Sequence, residues 1–464
     1  MVSRKKMALK FSVTSLVFAL VLTVSGCSTT SRSKEWQSLG LQFDLKEFKL
    51  DNGLRVLMVK DPTVPIVSYQ TWVNVGSVDE EFGLTGLAHL FEHLMFKGSR
   101  NFGPKAFFQE LEAKGAAVNA YTTRDYTVYH ETFTKDLLSR VIELEADRLS
   151  GLNLTDLVLY TEKQVVAEER RLRTENSPDG RMQEALWALA YKSHPYRWPV
   201  IGYSEDMNRI TIEDLEKFFG RYYQPGNVTL VVVGDFEPRE AMEMIRNAYG
   251  PIAGHKPDRS SIAREPEQRE PRDLILQDAV ATTKLQFGYP VTSAEEPDTH
   301  ALDVMSNILF GGVSSRAYNT LVEEKQLAVG VSGVAYTPAH PGLFLMSAVL
   351  RQGVSPEQFE AAWWECVKRL ETDGITQEEL TSAVRQLTIQ TVDSVRTAHG
   401  LASLVGTVNA ILGDPELYKD DLIKYQKVTA QDVVRVAKKY LRKERQNRVV
   451  LNPGRAMAEL EVNP

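Results

Sequence analysis

Residues 89–93 read His-Leu-Phe-Glu-His, and this short segment decides how the rest of the chain is interpreted. Positions four apart on a helix lie one above the other, so His89 and His93 can bind one metal ion together. Glu92 lies on the same turn, and its carboxylate projects beside the same ion. With only 8 histidines in 464 residues, this spacing rarely arises by chance. The alternative is a pair of hydrogen-bonded histidines on an ordinary helix.

A third metal ligand is expected from a second helix. Two neutral imidazoles suit zinc, and one further protein ligand leaves an open coordination position. Glu162 and Glu169 are seven residues apart and share one helix face, whereas Glu168 points about 100° away from Glu169. Spacing therefore favours the Glu162/Glu169 face, with one acid as ligand and the other as hydrogen-bond partner of an imidazole. Without the histidine pair, a solvated acidic helix face would be the simpler interpretation.

The chain carries an internal repeat at an offset of 218 residues. In both copies a short amphipathic helix is followed by an apolar strand. Three identities at one offset, in matching local structure, predict a duplicated domain. The repeated residues are Thr211 and Thr429, Asp214 and Asp432, and Tyr222 and Tyr440.

The mature chain is predicted to fold into two α+β domains, because strands and helices are mixed without a regular βαβ alternation. Asn52-Gly53 between two strand-like runs predicts a hairpin near the start of the first domain. The repeat places the domains at 46–254 and 273–452. The charged, proline-containing segment 255–272 is typical of a linker, and 453–464 is a short tail.

The N-terminus has the pattern of a secretory signal peptide over residues 1–26. A basic segment precedes 14 mostly apolar residues, which as a helix would span about 21 Å, short for a bilayer. The run ends Val-Ser-Gly-Cys27, which resembles a bacterial lipoprotein cleavage box. That resemblance implies a lipidated Cys27, a flexible tether over 27–45 and anchoring on the periplasmic side of the cell envelope. Ser28 replaces the aspartate of inner-membrane retention, which favours the outer membrane; an ordinary signal peptide with a chance cysteine is the alternative.

Composition excludes several classes of protein. The net charge is −7, and an acidic body of this kind is a poor nucleic-acid binder. Apolar residues make up 43 % and charged residues 25 %, which excludes a disordered chain and a polytopic membrane protein. With two cysteines, a four-cysteine zinc site is impossible.

His-x-x-Glu-His is the inverted zincin motif. With Glu162 and Glu169 downstream, the chain resembles the pitrilysin/insulinase family of zinc metallopeptidases. The resemblance covers nearly the whole mature chain and implies two duplicated α/β-sandwich domains of the pitrilysin/processing-peptidase type. Other segments that resemble the family are Gly76-Ser77 with Glu80, Phe96-Lys97-Gly98, Asn119-Ala120-Tyr121-Thr122, His194-Pro195-Tyr196 and Val233-Gly234-Asp235-Phe236.

The resemblance also implies a role for each site residue. Zinc would be bound by His89, His93 and Glu169, with Glu92 as the general base and Glu162 supporting an imidazole. Glu168 is the competing ligand assignment. Asn119 and Ala120 match an edge strand whose backbone pairs with an extended substrate, a mode that favours unfolded peptides. The expected activity is zinc-dependent endopeptidase hydrolysis.

One departure from the family concerns the second domain. Active members carry an Arg and a Tyr seven residues apart, and the matching positions here are Val322 and Val329. Ser306 and Asn307 stand where the metal helix of the first domain has Glu92 and His93, so no metal is expected there. A heterodimer with a related subunit that supplies the Arg/Tyr pair is therefore predicted. A catalytically weak or inactive scaffold or binding subunit is the alternative.

Overall fold

The protein is built on two mixed β-sheets covered by helices. The computed structural model describes residues 43–105, 107–259 and 262–454. The predicted signal peptide, Cys27, nearly all of the tether and the tail beyond residue 454 lie outside the described residues. The strands are β1 (Leu45–Lys49), β2 (Arg55–Lys60), β3 (Ile66–Val73), β4 (Ala117–Thr122), β5 (Thr127–Thr134), β6 (Val228–Gly234), β7 (Arg272–Asp278), β8 (Lys284–Pro290), β9 (Ala328–Tyr336), β10 (Leu343–Leu350) and β11 (Asn447–Pro453).

Helices make up most of the remaining structure. A π-helical turn, Arg171–Glu175, continues the helix that ends at Arg170. The α-helices of the described residues are α1 (Leu87–Leu94), α2 (Leu138–Ser150), α3 (Asp156–Arg170), α4 (Pro178–Ala190), α5 (Ser204–Arg209), α6 (Ile212–Tyr222), α7 (Pro238–Tyr249), α8 (Thr299–Phe310), α9 (Arg316–Tyr318), α10 (Pro356–Asp373), α11 (Gln377–Ser394), α12 (Ala398–Leu412), α13 (Tyr418–Lys427) and α14 (Ala430–Tyr440). Within the part of the chain that the structure describes, no helix is long and apolar enough to cross a membrane.

The two sheets repeat one strand order. The first runs β1-β2-β6-β3-β5-β4 and the second β7-β11-β8-β10-β9. In each, a central strand (β6 or β11) is parallel to one neighbour (β2 or β7) and antiparallel to the other (β3 or β8). The second sheet is therefore the first without β1, as a duplicated α+β domain requires.

The repeated threonines and aspartates are helix caps. The Thr211 hydroxyl accepts the Asp214 N–H at 3.3 Å, while the Asp214 carboxylate accepts the Thr211 N–H at 2.9 Å. Thr429 and Asp432 make the same two bonds, both at 3.1 Å. This reciprocal arrangement satisfies two backbone groups at each helix start, which is a physical reason for both residues to recur.

The predicted hairpin forms at Asn52-Gly53. Strands β1 and β2 pair antiparallel on either side of it, and Gly53 has φ +92°, which suits glycine. The Asn52 side-chain amide donates to the carbonyls of Tyr249 and Ile252, both at 2.8 Å. The turn is thereby fixed against the end of α7. β1 begins at Leu45, the last residue of the predicted tether, and β7 begins at Arg272, the last residue of the predicted linker.

One helix from each half packs on the sheet of the other half. On α4, Met182 and Leu186 form a buried cluster with Val449 and Leu451 of β11. Conversely, α12 lies on the first sheet. A Cβ added at Gly406 of α12 would lie 2.1 Å from the Trp72 indole of β3. The two halves are therefore interlocked by helices α4 and α12.

Candidate metal centre

Helix α1 is held at its first turn and along one face. Its first turn is capped by Glu80, whose carboxylate accepts the N–H groups of Gly86 and Ala88, each at 2.9 Å. Gly86 has φ +93°, and a Cβ there would lie 2.7 Å from a backbone carbonyl oxygen. Phe91 is fully buried and stacks on Phe218, with ring centroids 5.4 Å apart. The helix is thus anchored with the opposite face, which carries His89, Glu92 and His93, turned towards α3.

The structure brings His89, His93 and Glu169 together. One ligand atom from each lies within 4.8 Å of the other two. Glu169 Oε2 is 3.2 Å from His93 Nε2, and Glu169 Oε1 is 3.7 Å from His89 Nε2. The two imidazole centroids are 4.9 Å apart. Within the described residues, no other three His, Cys, Asp or Glu side chains converge in this way.

Glu162 lies behind His93 instead of among the ligand atoms. Its Oε2 is 3.6 Å from His93 Nδ1, the ring nitrogen that faces away from Glu169. Its Oε1 pairs with Lys97 Nζ at 2.7 Å, although only 2 % of the Glu162 side chain is exposed. Burial alone would raise the pKa of Glu162, but His93 and Lys97 hold it below its ordinary value. Glu162 is therefore suited to orient the His93 ring.

Glu168 is directed away from the site. Its carboxylate forms a two-bond ion pair with Arg171, at 2.7 and 3.0 Å, and about half of its side chain is exposed. The 100° turn between neighbouring helix residues accounts for this separation.

Glu92 links helix α1 to the edge strand β4. Thr122 Oγ1 donates to Glu92 Oε2 at 2.7 Å, and burial raises the pKa of Glu92 above its ordinary value. Asn119 and Ala120 line the groove that contains the histidines and Glu92. Asn119 Oδ1 accepts the N–H of Ala120 at 2.9 Å, so a peptide that pairs with this N–H would displace the strand's own side chain.

The residues present fit a zinc ion. Two imidazole nitrogens and one carboxylate oxygen form a common donor set for catalytic zinc, with a position left open. His89 is 6 % exposed, and its Nδ1 is buried without a hydrogen-bond partner among the described residues. Burial and the neighbouring His93 lower the pKa of His89 to about 4, so this ring stays neutral and able to bind a metal at pH 7.

The groove has a volume of about 630 Å³ and contains two arginines that the sequence did not point to. Arg124 follows β4, and its guanidinium lies 3.6 Å above the centre of the Trp187 ring. Arg173 lies on the π-helical turn after α3, with Nη1 2.5 Å from Glu169 Oε1. Arg124 comes from a turn, where no periodicity indicates the direction of a side chain. Arg173, in contrast, is four residues after Glu169 on a continuing helix, so helical spacing places it on the same face.

Valine stands at positions 322 and 329 of the second half, and its side chain can neither bind a metal nor donate a hydrogen bond. Val322 is buried in the second core, at 4 % exposure, and Val329 is 63 % exposed on β9, an edge strand of its sheet. Ser306 on α8 donates its hydroxyl to the Gly333 carbonyl at 3.4 Å.

Comparison with known proteins agrees with this geometry. Residues 55–203 match the sequence profile described as insulinase (peptidase family M16), and residues 209–387 match the one described as peptidase M16 inactive domain. A Helicobacter pylori protein named zinc protease PqqE is 30 % identical over 408 residues, covering 87 % of this chain and 92 % of that protein. The chain belongs to peptidase family M16. The resemblance to the pitrilysin/insulinase family is therefore confirmed.

Solved structures of M16 proteins share the fold. A Helicobacter pylori protease has a TM-score of 0.84 at 29 % identity, covering 89 % of this M16 chain and all of the other. A Pseudomonas fluorescens structure titled peptidase M16 inactive domain has a TM-score of 0.81 at 19 % identity, which shows the fold alone. A Streptomyces coelicolor relative, 26 % identical over 400 residues, is also named a zinc protease. The predicted two-domain fold is confirmed.

Proposed function

We propose that the protein is the zinc-holding subunit of an endopeptidase that hydrolyses extended or unfolded peptides. The observation that supports this most directly is the convergence of His89, His93 and Glu169 beside Glu92, at an edge strand. The relatives named zinc proteases support the metal and the reaction class.

Each residue has a defined task in this proposal. His89 Nε2, His93 Nε2 and Glu169 would hold zinc, which supplies a Lewis acid that acidifies water and polarises a carbonyl. Glu92 Oε2 is oriented by the Thr122 hydroxyl, so its other oxygen is free to accept a proton from the attacking water. Glu92 then delivers that proton to the leaving amine nitrogen.

The edge strand β4 positions the substrate. It pairs with β5 on one side only, which leaves its other edge available for an extended peptide. Ala120 and Thr122 are two residues apart, so their side chains lie on the same face of the strand, and Thr122 contacts Glu92. A peptide backbone aligned on β4 therefore passes the proton acceptor. This mode of binding favours unfolded peptides over folded proteins.

Replacing Glu92 by Gln tests the proposal. The amide cannot accept the water's proton, so hydrolysis of an unstructured peptide should fall by at least about 10²-fold. Zinc content and the melting temperature should stay close to those of the native protein. Glu168→Gln is the matched control because that side chain faces solvent. Unchanged turnover in Glu92→Gln would remove this residue from the mechanism.

The second candidate function is a scaffold or binding subunit that retains the fold without turnover. Valine at 322 and 329 favours it, since neither side chain can donate a hydrogen bond to a developing oxyanion. The complete zinc half-site argues for a subunit that becomes active with a related partner carrying the Arg/Tyr pair.

We also propose that the mature chain begins at a lipidated Cys27 on the periplasmic side of the bacterial cell envelope. Several acyl chains, at about 0.8 kcal/mol per buried methylene, hold a protein on a bilayer without a spanning helix. Mass spectrometry of the N-terminal peptide should show acylated Cys27, and Cys27→Ser should release the protein from the membrane. An unmodified N-terminus at another residue would contradict the anchor.

A further inference from the structure

The acidic groups of the groove are nearly all occupied. Glu184 forms a two-bond ion pair with Arg170, at 2.9 and 3.0 Å. Glu92 is bonded to Thr122, and Glu169 belongs to the ligand set. Among these three, only Glu92 keeps an unbonded oxygen, and the proposed mechanism uses that oxygen to accept a proton.

The two groove arginines, in contrast, have donors to spare. Arg124 forms no ion pair among the described residues; its Nε donates to the Tyr196 carbonyl at 3.5 Å, and its guanidinium bonds to the Tyr336 side chain and stacks on Trp187. Arg173 is 74 % exposed, and its one carboxylate partner within the described chain is Glu169. A metal bound by Glu169 would share that carboxylate's charge and leave the guanidinium available to a ligand.

We propose that Arg124 and Arg173 make the groove selective for acidic peptides, an inference that rests on the proposed function of the same groove. Arg173 lies beside the metal ligands, so it meets a side chain next to the scissile bond. Arg124 lies in the turn after β4, two residues beyond Thr122, and meets a side chain farther along the peptide. Guanidinium groups bind carboxylates through paired, charge-assisted hydrogen bonds.

The charge of the rest of the molecule makes this selectivity specific to the groove. The chain carries a net charge of −7, so its surface as a whole repels acidic peptides. A preference for acidic sequences must then arise from local contacts with the two arginines.

Binding to the Glu92→Gln protein tests the inference without turnover. The probes are three fluorescein-labelled unstructured peptides of equal length with Glu, Gln or Lys at every second position. Fluorescence anisotropy, with and without added zinc, should show the Glu peptide bound at least about 10-fold more tightly than the Lys peptide. The difference should shrink at high salt because it is electrostatic.

Arginine variants in the same background assign the effect to residues. Arg173→Gln should reduce the Glu-over-Lys preference several-fold, and Arg173→Glu should reverse it. Arg171→Gln is the matched control, since Arg171 lies on the same turn, pairs with Glu168 and is absent from the groove lining. Arg124→Gln should weaken the preference as well; if that variant does not fold, exposed Arg173 still decides the question. Zinc content is measured for each variant because Arg173 contacts Glu169.

Equal binding of the three peptides, no binding of any, or a preference unchanged in Arg173→Gln would overturn the inference. Hydrolysis by the native protein without acidic preference would overturn it and leave the proposed function standing. Acidic preference in binding, with no hydrolysis alone or with an Arg/Tyr-bearing relative, would overturn the proposed function and leave the acid-binding groove.

Discussion

His93 lies at the centre of the candidate site. One ring nitrogen faces Glu169 at 3.2 Å and the other faces Glu162 at 3.6 Å, so two acids two turns apart on α3 act on opposite sides of one imidazole. Burial would lower the pKa of His93, but the two carboxylates outweigh it and raise it to about 9. The negative charge that favours a proton on His93 would also favour a metal cation bound by His93 Nε2 and Glu169, with Glu162 on the far side of the ring.

Exchanging single acids on α3 should separate their roles. Glu169→Gln should reduce zinc affinity strongly, because a neutral amide replaces the anionic ligand, while Glu168→Gln should leave it nearly unchanged. Zinc per chain, measured by elemental analysis after dialysis against a weak chelator, distinguishes the two. A site emptied by Glu168→Gln and retained in Glu169→Gln would reverse the assignment.

For single residues, helical spacing predicted which acids share a face but could not assign their separate roles. Seven residues between Glu162 and Glu169 placed both acids on one face, but only the tertiary structure shows which one faces the ligand atoms. Lys97, which forms an ion pair with Glu162, follows α1 and is distant from α3 in the sequence. Arg124 escaped prediction because its position depends on a turn, whereas the spacing of Arg173, four residues after Glu169, was a signal that could have found it.

Among the elements, α12 packs closely against the first sheet. Gly406 lies directly against the Trp72 indole, and Asn409 donates to the Thr229 hydroxyl of β6 at 3.2 Å. The local signals in the sequence, such as the Asn52-Gly53 turn and the repeated caps, predicted elements well. They could not predict that α4 and α12 cross to the opposite sheets, because that packing joins residues far apart in the sequence, such as Asn409 and Thr229.

A methyl group at position 406 should therefore destabilise the fold. Gly406→Ala places Cβ 2.1 Å from the Trp72 ring, and the forced shift should cost about 1–3 kcal/mol, seen as a lower melting temperature. Gly220→Ala on α6 is the control. A Cβ there meets no atom within 4 Å, so helix propensity should make it neutral or stabilising by up to about 1 kcal/mol. Equal melting of the two variants would contradict this packing.

For the molecule as a whole, the uneven distribution of chemistry between the halves matters most. The first half holds the complete candidate zinc site, whereas Val322 and Val329 leave the second without polar groups at the family's Arg/Tyr positions. Two related subunits that close as half-shells would combine the missing parts and would admit only peptides small enough to enter.

The lone chain should therefore be a poor enzyme. Loss of one positioned oxyanion donor costs about 10²–10³ in rate, so activity should rise by at least that factor when an Arg/Tyr-bearing relative is added. Peptide hydrolysis is measured for the purified chain, for the relative and for the mixture. Full activity of the lone chain, or a mixture that tolerates loss of the relative's Arg and Tyr, would contradict the heterodimer.

The exchanged helices have a consequence for ancestry. Both α4 and α12 begin with a hydroxyl cap followed by glycine, Ser177 with Gly180 and Thr397 with Gly400, so they are the same helix in two copies. A gene of half this length would have encoded a protein whose sheet could be covered only by a twin, each lending its helix to the other. In such a lineage, pairing of identical chains precedes the fusion of their genes.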